Sequence, residues 1–98
     1  MIPSSPNAIV SVEKEKIASL TFPNEDVLKS VPSVEQRRVS LEQAVVLGNT
    51  YKGKAKIIFD DSAGTKQIET HLWGLTDTRV ILKQGIVIPV HRIREVKF

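Results

Sequence analysis

The chain has 98 residues, enough for one domain with a single modest core and too few for two. Hydrophobic residues make up 41% and charged residues 26%, and 14 basic against 11 acidic residues leave a formal net charge of +3. The absence of cysteine excludes disulfide frameworks, thiol catalysis and thiolate metal sites, and two histidines are too few for a multi-histidine metal centre.

No stretch of the chain is apolar over the length of a membrane span, and the first residues lack the charge and apolar pattern of a signal peptide. We therefore expect a soluble, cytoplasmic protein with no membrane partner and no cofactor. The small positive excess permits an acidic partner without requiring one.

The two halves of the chain differ in charge and in proline content. Up to Tyr51 there are five basic and six acidic residues, a net charge of −1, whereas from Lys52 onward nine basic and five acidic residues give +4. Four of the five prolines precede Tyr51. The contrast indicates an N-terminal arm over residues 1–32, mobile or forming short strands, and a helix plus a small β-barrel over residues 33–98.

Three short elements are predicted within the arm. Residues 8–12 are apolar enough for a short strand, and the alternating pattern of residues 16–22 predicts a second one, which Pro23 stops. Residues 24–29 have the acidic start and basic end of a single helical turn, closed by Pro32. A mobile arm is the alternative.

Residues 33–48 are predicted to form a helix. Ser33 and Ser40 both have capping-box spacing to a glutamine three residues later, and Ser40 is favoured as the N-cap because Val39 precedes it as a staple. Gly48 supplies the residue type that ends helices in a left-handed conformation. One face of this helix carries three apolar side chains, Leu41, Ala44 and Val45.

After the helix the pattern has a period of two, which predicts strands separated by turns. The polar cluster at residues 60–65 predicts an antiparallel hairpin, and Gly74 a bulge or sharp bend. Pro89 ends a strand, because it has no N–H to donate, and a short turn follows at residues 90–92. The five predicted strands are residues 52–59, 66–75, 79–83, 86–88 and 93–98.

Five short strands behind one helix are too few for a β-sandwich of standard size. They are typical of a small, partly open antiparallel barrel of the SH3, Sm or OB kind. The predicted fold class is therefore α+β, mostly β, with a five-stranded barrel preceded by a short helix and an irregular N-terminal segment.

Five motifs lie along residues 38–96: LGN at 47–49, KAKIIF at 54–59, ETHLWGLT at 69–76, VILKQG at 80–85 and IPVHRI at 88–93. Together they resemble a family of small bacterial proteins of uncharacterised function. The resemblance therefore implies no particular activity.

The order of elements also loosely resembles the Sm-like fold. Sm proteins bind RNA bases through an Asp and an Asn after the second strand and through a basic-Gly pair in the last hairpin. Here Asp77 lies in the corresponding turn, but Arg79 stands near the expected position of the Asn, and the last hairpin has Gln84 between Lys83 and Gly85. The resemblance thus implies a fold and carries over no base-binding residue.

A basic stripe is the strongest functional candidate. Alternate positions of a strand share a face and lie about 7 Å apart, an interval similar to that between phosphates of one nucleic-acid strand. The alternative is a solvated outer face that discourages pairing between sheet edges. The stripe comprises Lys52, Lys54, Lys56, Lys66, Arg92, Arg94 and Lys97.

Trp73 is predicted to share a strand face with Glu69 and His71. An exposed Trp beside cations is a stacking platform for bases, whereas the only Trp of a small domain usually belongs to the core or covers a barrel end. Glu69 and His71 are suited to acid–base chemistry, but the spacing supplies no nucleophile or third group. We therefore expect a protein that is not an enzyme.

The turn after Pro89 places His91 beside Arg92. The pair either holds a phosphate or a carboxylate, since Arg offers a planar fork of donors, or points into water while its apolar neighbours enter the core.

Two functional hypotheses follow. The first is a non-enzymatic module that binds RNA or single-stranded nucleic acid through the basic strand face, with Trp73 stacking on bases. The alternative is a protein-interaction or structural module that pairs with its own copy or another protein through a sheet edge or through the face of Leu41, Ala44 and Val45.

Overall fold

The computed structural model describes residues 9–98, which form one α-helix and seven strands in two sheets. The α+β class is confirmed. The two sheets are open and hydrogen-bond among their own strands, so the predicted barrel is not confirmed. None of the helices within residues 9–98 is both long and apolar enough to cross a membrane.

The first sheet has four strands and the second has three. Along the first sheet the strands are β1 (Val10–Ser11), β3 (Gly64–Thr70), β2 (Ala55–Asp61) and β7 (Ile93–Lys97). Along the second they are β4 (Leu72–Leu75), β5 (Arg79–Leu82) and β6 (Val87–Pro89). Only β1 pairs in parallel, with β3, and the other described pairings are antiparallel. Residue 8 of the first predicted strand lies outside the described residues.

Helix α1, Val31–Tyr51, is longer than predicted at both ends. Its N-cap is Ser30, whose hydroxyl accepts a hydrogen bond from the Ser33 N–H, so the predicted caps are wrong. Pro32 lies in the first turn, where no intrahelical N–H bond is required, and it therefore begins this helix instead of closing an earlier one.

The inner face of α1 packs against β4 and β7. Leu41 and Ala44 are buried and Val45 is partly buried against the core. The expectation that this face pairs with a second copy or another protein is therefore wrong, because the sheets of the same chain cover it. Gly48 is a point of close approach, since a Cβ atom there would lie 2.6 Å from the Leu72 carbonyl oxygen. The spacing of these residues matches one face of a 3.6-residue helix.

The predicted hairpin, bulge and strand-ending proline are all present. β2 and β3 are antiparallel neighbours, the β4–β5 register shifts between Leu72 and Gly74, and β6 ends at Pro89. The predicted turn at residues 90–92 is the short 3₁₀ helix Val90–Arg92. The strand predicted over residues 66–75 is two strands, because His71 separates β3 from β4.

The second and third predictions for the arm are wrong. Residues 16–22 do not form a strand, because the chain is a 3₁₀ helix over Lys14–Ser19 that inserts Ile17 into the core. Phe22 then packs on Phe59, with the ring centroids 5.9 Å apart. Tertiary packing of these side chains overrides the local alternation.

Residues 23–28, which we call the latch, bind the 3₁₀ helix Val90–Arg92. The Val27 N–H donates to the His91 carbonyl at 2.9 Å, and Nε2 of His91 donates to the Pro23 carbonyl at 2.8 Å. The two contacts join segments that are more than sixty residues apart in the chain.

Two buried arginines reinforce the latch. Nη1 of Arg92 donates to the Glu25 carbonyl at 2.7 Å and Nε donates to the Asp60 carbonyl at 3.1 Å. Both guanidinium Nη atoms of Arg37, on α1, donate to the Asp26 carboxylate at 2.8 Å. The Asp26 carboxylate also accepts the Leu28 N–H at 2.8 Å, a local turn that replaces the predicted helical turn.

The latch yields a stability prediction. Asp26→Asn removes the charge that neutralises Arg37, whose side chain is 4% exposed, while Asp26 is about one-third exposed. We expect the free energy of unfolding to fall by about 2 kcal/mol, below the cost of breaking a fully buried pair because solvent screens Asp26. Urea unfolding measures the change.

The neighbouring variant Glu25→Gln is the control. Its side chain and that of Lys29 are both about three-quarters exposed in their ion pair, so the loss should stay under about 0.5 kcal/mol. Equal losses in the two variants would contradict the role given to Asp26.

Candidate nucleic-acid interface

Three cations of the predicted stripe bind groups of the chain itself, although the Arg94 side chain is still 48% exposed. Nζ of Lys66 lies 3.1 Å from the Asp61 carboxylate, and Arg94 contacts the Asp60 carboxylate through Nη2 at 2.6 Å. Arg92 is 7% exposed and holds main-chain carbonyls. Their contacts within the chain therefore serve the fold.

In the turn after Pro89, the apolar neighbours Ile88 and Ile93 are buried in the core, as one of the two interpretations expected, but the pair itself does not face water. His91 is half-buried and Arg92 is buried, so neither side chain simply points into water. The groups they hold are the carbonyls of the latch and of Asp60.

The remaining lysines of the stripe do not form a row on one strand. Lys52 ends α1 in the left-handed conformation, with φ = 57°, and donates its N–H to the Leu47 carbonyl. Lys54 lies in the connection, because β2 begins only at Ala55. The predicted strand over residues 52–59 is therefore three residues too long at its start.

The end of α1 is fixed to the sheets by His71. Nδ1 of His71 donates to the Gly53 carbonyl at 2.8 Å, which holds the connection between Lys52 and Lys54. The start of β2 then lies between the ends of β3 and β7, since Ala55 pairs with Thr70 and Lys56 with Lys97. One end of the domain thus gathers cations from three segments of the chain.

Lys56 and Lys97 are direct cross-strand partners. Such partners share a face with Cβ atoms about 5 Å apart, and like charges in these positions repel. Within residues 9–98 neither ammonium group has a carboxylate at ion-pair distance, although Glu69 is the partner of Lys56 on the opposite strand. An anion placed between the two lysines would relieve this repulsion.

Two exposed aromatic side chains are next in sequence to lysines at this end of the domain, Tyr51 to Lys52 and Phe98 to Lys97. Tyr51 is 72% exposed and Phe98 64%, and they line one open cavity of about 320 Å³ together with Gln43, Val46 and Leu47. Aromatic side chains left this exposed are suited to stacking on planar ligands.

We call Tyr51, Lys52, Lys54, Lys56, Lys97 and Phe98 the helix-end patch. Side chains alternate along a strand, so Lys97 faces away from Val96, which packs on the helix side. The lysines of β2 and β7 therefore lie on the outer face of the sheet and the aromatic rings on the helix side. Among the described strands β7 lies at the edge of the sheet, and both faces are reached from there.

Trp73 lies elsewhere. It is 50% exposed, and its carbonyl accepts a hydrogen bond from Nδ2 of Asn49 at 3.3 Å. Asn49 and Tyr51 are two residues apart on α1 and so point to opposite sides of it. The structure does not bring Trp73 together with the helix-end patch.

The sequence interpretation missed Tyr51 and Phe98. A local signal for both exists, because Tyr51 precedes Lys52 and Phe98 follows Lys97. Their exposure depends on where α1 ends relative to β7, which the local pattern does not encode.

The acid–base candidates do not assemble into a larger site. His71 uses Nδ1 to hold the helix connection, and Glu69 faces Lys56 across the sheet. Over residues 9–98 no group of three or more His, Asp or Glu side chains is placed to hold a metal ion.

Comparison of the chain with models of protein families, with curated proteins and with solved structures gave no match.

The internal ion pairs lower the pKa of three carboxyl groups. Burial of Asp60 acts to raise its pKa, but the hydrogen bonds and charge of Arg94 and the hydrogen bond from Thr65 outweigh it. Burial of Asp61 likewise acts to raise its pKa, and the hydrogen bonds and charge of Lys66 outweigh it. For Asp26 the hydrogen bonds from Arg37 are the largest cause of the lowered pKa.

These shifts predict acid destabilisation. Their contribution to stability is complete above the unfolded-state pKa of about 3.9 and is lost as pH falls through the lower folded-state values. The urea midpoint should therefore drop steeply below about pH 4. Asp60→Asn should reduce this dependence, whereas Asp77→Asn, exposed in the turn before β5, should retain it. An acid dependence that is unchanged in Asp60→Asn would contradict the assignment.

Proposed function

We propose that this chain is a non-enzymatic module that binds single-stranded nucleic acid, RNA or DNA, through the helix-end patch. The observation that carries the proposal is the cross-strand pair Lys56–Lys97, with two exposed aromatic rings on the other face of the same end of the sheet. Phosphates would bind between the lysines on the outer face, and bases would stack on Tyr51 and Phe98 on the helix side.

The distribution of charge supports this location. Six of the basic side chains within residues 9–98 form ion pairs with carboxylates, and Arg92 holds carbonyls instead. Four of the others lie in the helix-end patch. Lys52 and Lys54 extend the cross-strand pair toward the end of α1, so a flexible strand could contact several cations at once.

We also propose that the two sheets form a single SH3-like or Sm-like barrel. A single residue, His71, separates β3 from β4, and a three-residue 3₁₀ helix separates β6 from β7. The two sheets would then be one strongly bent sheet in the order β7, β2, β3–β4, β5, β6, an arrangement compatible with a partly open SH3-like or Sm-like barrel. A cytoplasmic location is likewise proposed.

The first test is an NMR titration of the labelled protein with short mixed-sequence RNA and DNA. We expect amide shifts at residues 51–56 and 97–98, weaker at moderate salt than at low salt because counterion release drives phosphate binding. A silent spectrum, or shifts confined to the surroundings of Trp73, would contradict the proposal.

Variants then separate charge from stacking. Lys56→Glu should weaken binding at least about tenfold, since it replaces an attraction by a repulsion, and Tyr51→Ala should cost roughly 1–3 kcal/mol of stacking. Glu69→Gln should strengthen binding, because it removes the carboxylate opposite Lys56. Fluorescence anisotropy with a labelled RNA oligonucleotide measures all three.

Matched controls lie outside the patch. Lys83→Glu makes the same charge reversal at an exposed lysine after β5, and Trp73→Ala removes an exposed ring on β4. Both should change affinity by less than about threefold. Losses as large as those in the patch would show binding without a defined site.

A further inference from the structure

Helix α1 has apolar side chains on two opposite sides. Leu41 and Ala44 point into the core, whereas Val39 and Val46 are 44% and 55% exposed on the solvent side. A surface helix with one covered side normally presents polar residues on the other. The exposed valines line an open cavity together with Glu42 and Gln43.

The exposed side of α1 has the spacing of a helix–helix seam. Val39, Gln43, Val46 and Thr50 follow one another at intervals of four, three and four residues, the alternation found at the a and d positions of paired helices. None of the four is charged. The charged neighbours Arg38 and Glu42 pair with each other beside the seam, with the side-chain atoms 3.7 Å apart.

We infer that a second copy of this chain covers this seam. In a twofold dimer the two copies bury the same surface against each other. A residue on the twofold axis therefore contacts the identical residue of the partner, and the two must be compatible. Gln43 lies between the two valines and carries both donors and an acceptor, so that two such amides satisfy each other across the axis. A lysine or a carboxylate at this position would repel its copy.

The available area fits a weak dimer. Helix α1 has 21 residues and is therefore about 31 Å long. The seam from Val39 to Thr50 covers about 18 Å of this length, so packing two copies along it buries less than about 1,000 Å² in total, the size range of weak, transient interfaces. We expect a dissociation constant on the order of 100 μM.

The dimer can be tested independently of nucleic-acid binding. Sedimentation velocity of the full chain between about 10 μM and 1 mM should show a concentration-dependent shift toward the dimer. Val39→Glu should abolish this shift, because it places a carboxylate in the seam of each copy. Gln43→Leu should tighten the dimer at least about tenfold, because two buried amides become two apolar contacts.

Ser62→Glu is the control, since it adds the same negative charge in the exposed turn between β2 and β3. It should leave the sedimentation profile of the wild-type protein unchanged. Gln43→Leu guards against misfolding as an explanation, because its expected effect is a gain. A wild-type chain that is monomeric at 1 mM would overturn the inference, whatever Gln43→Leu does. So would a dimer that is unaffected by Val39→Glu, because it would use another surface.

Discussion

The fold depends on two buried guanidinium groups that bind a segment distant in the chain. Arg37 neutralises Asp26 and Arg92 holds the Glu25 carbonyl, so the latch is fixed from α1 on one side and from the 3₁₀ helix Val90–Arg92 on the other. A buried charge is costly without partners, and the latch is what supplies them. The described part of the arm is thus packed on the domain, and Ile17 contributes to the same core.

The elements that could be predicted are those whose signals are local. The spacing of apolar residues predicts which face of α1 is the inner one, and the polar cluster at residues 60–65 predicts the turn before β3. Each signal is contained within a few neighbouring residues. The segment over Lys14–Ser19 and the latch could not be predicted, because their conformations depend on Ile17 entering the core and on bonds to His91 far along the chain. An alternating pattern of neighbouring residues does not indicate contacts with residues far along the chain.

The candidate site was predictable in its charge and not in its geometry. Sequence shows that the second half is basic, but it does not show which cations the fold engages. Burial of Arg92 and the pairing of Lys66 with Asp61 leave the lysines near the end of α1 as the available group. The cross-strand register that opposes Lys56 to Lys97 likewise appears only once β2 and β7 are paired.

The salt dependence of affinity tests this account most directly, because it counts the cations that bind phosphate. For a short single-stranded RNA, four lysines predict a slope of log K against log salt of about −3, and Lys56→Glu should reduce its magnitude by roughly one. A slope near zero, or one that is the same in Lys56→Glu and in the wild-type chain, would contradict a phosphate site at the helix-end patch.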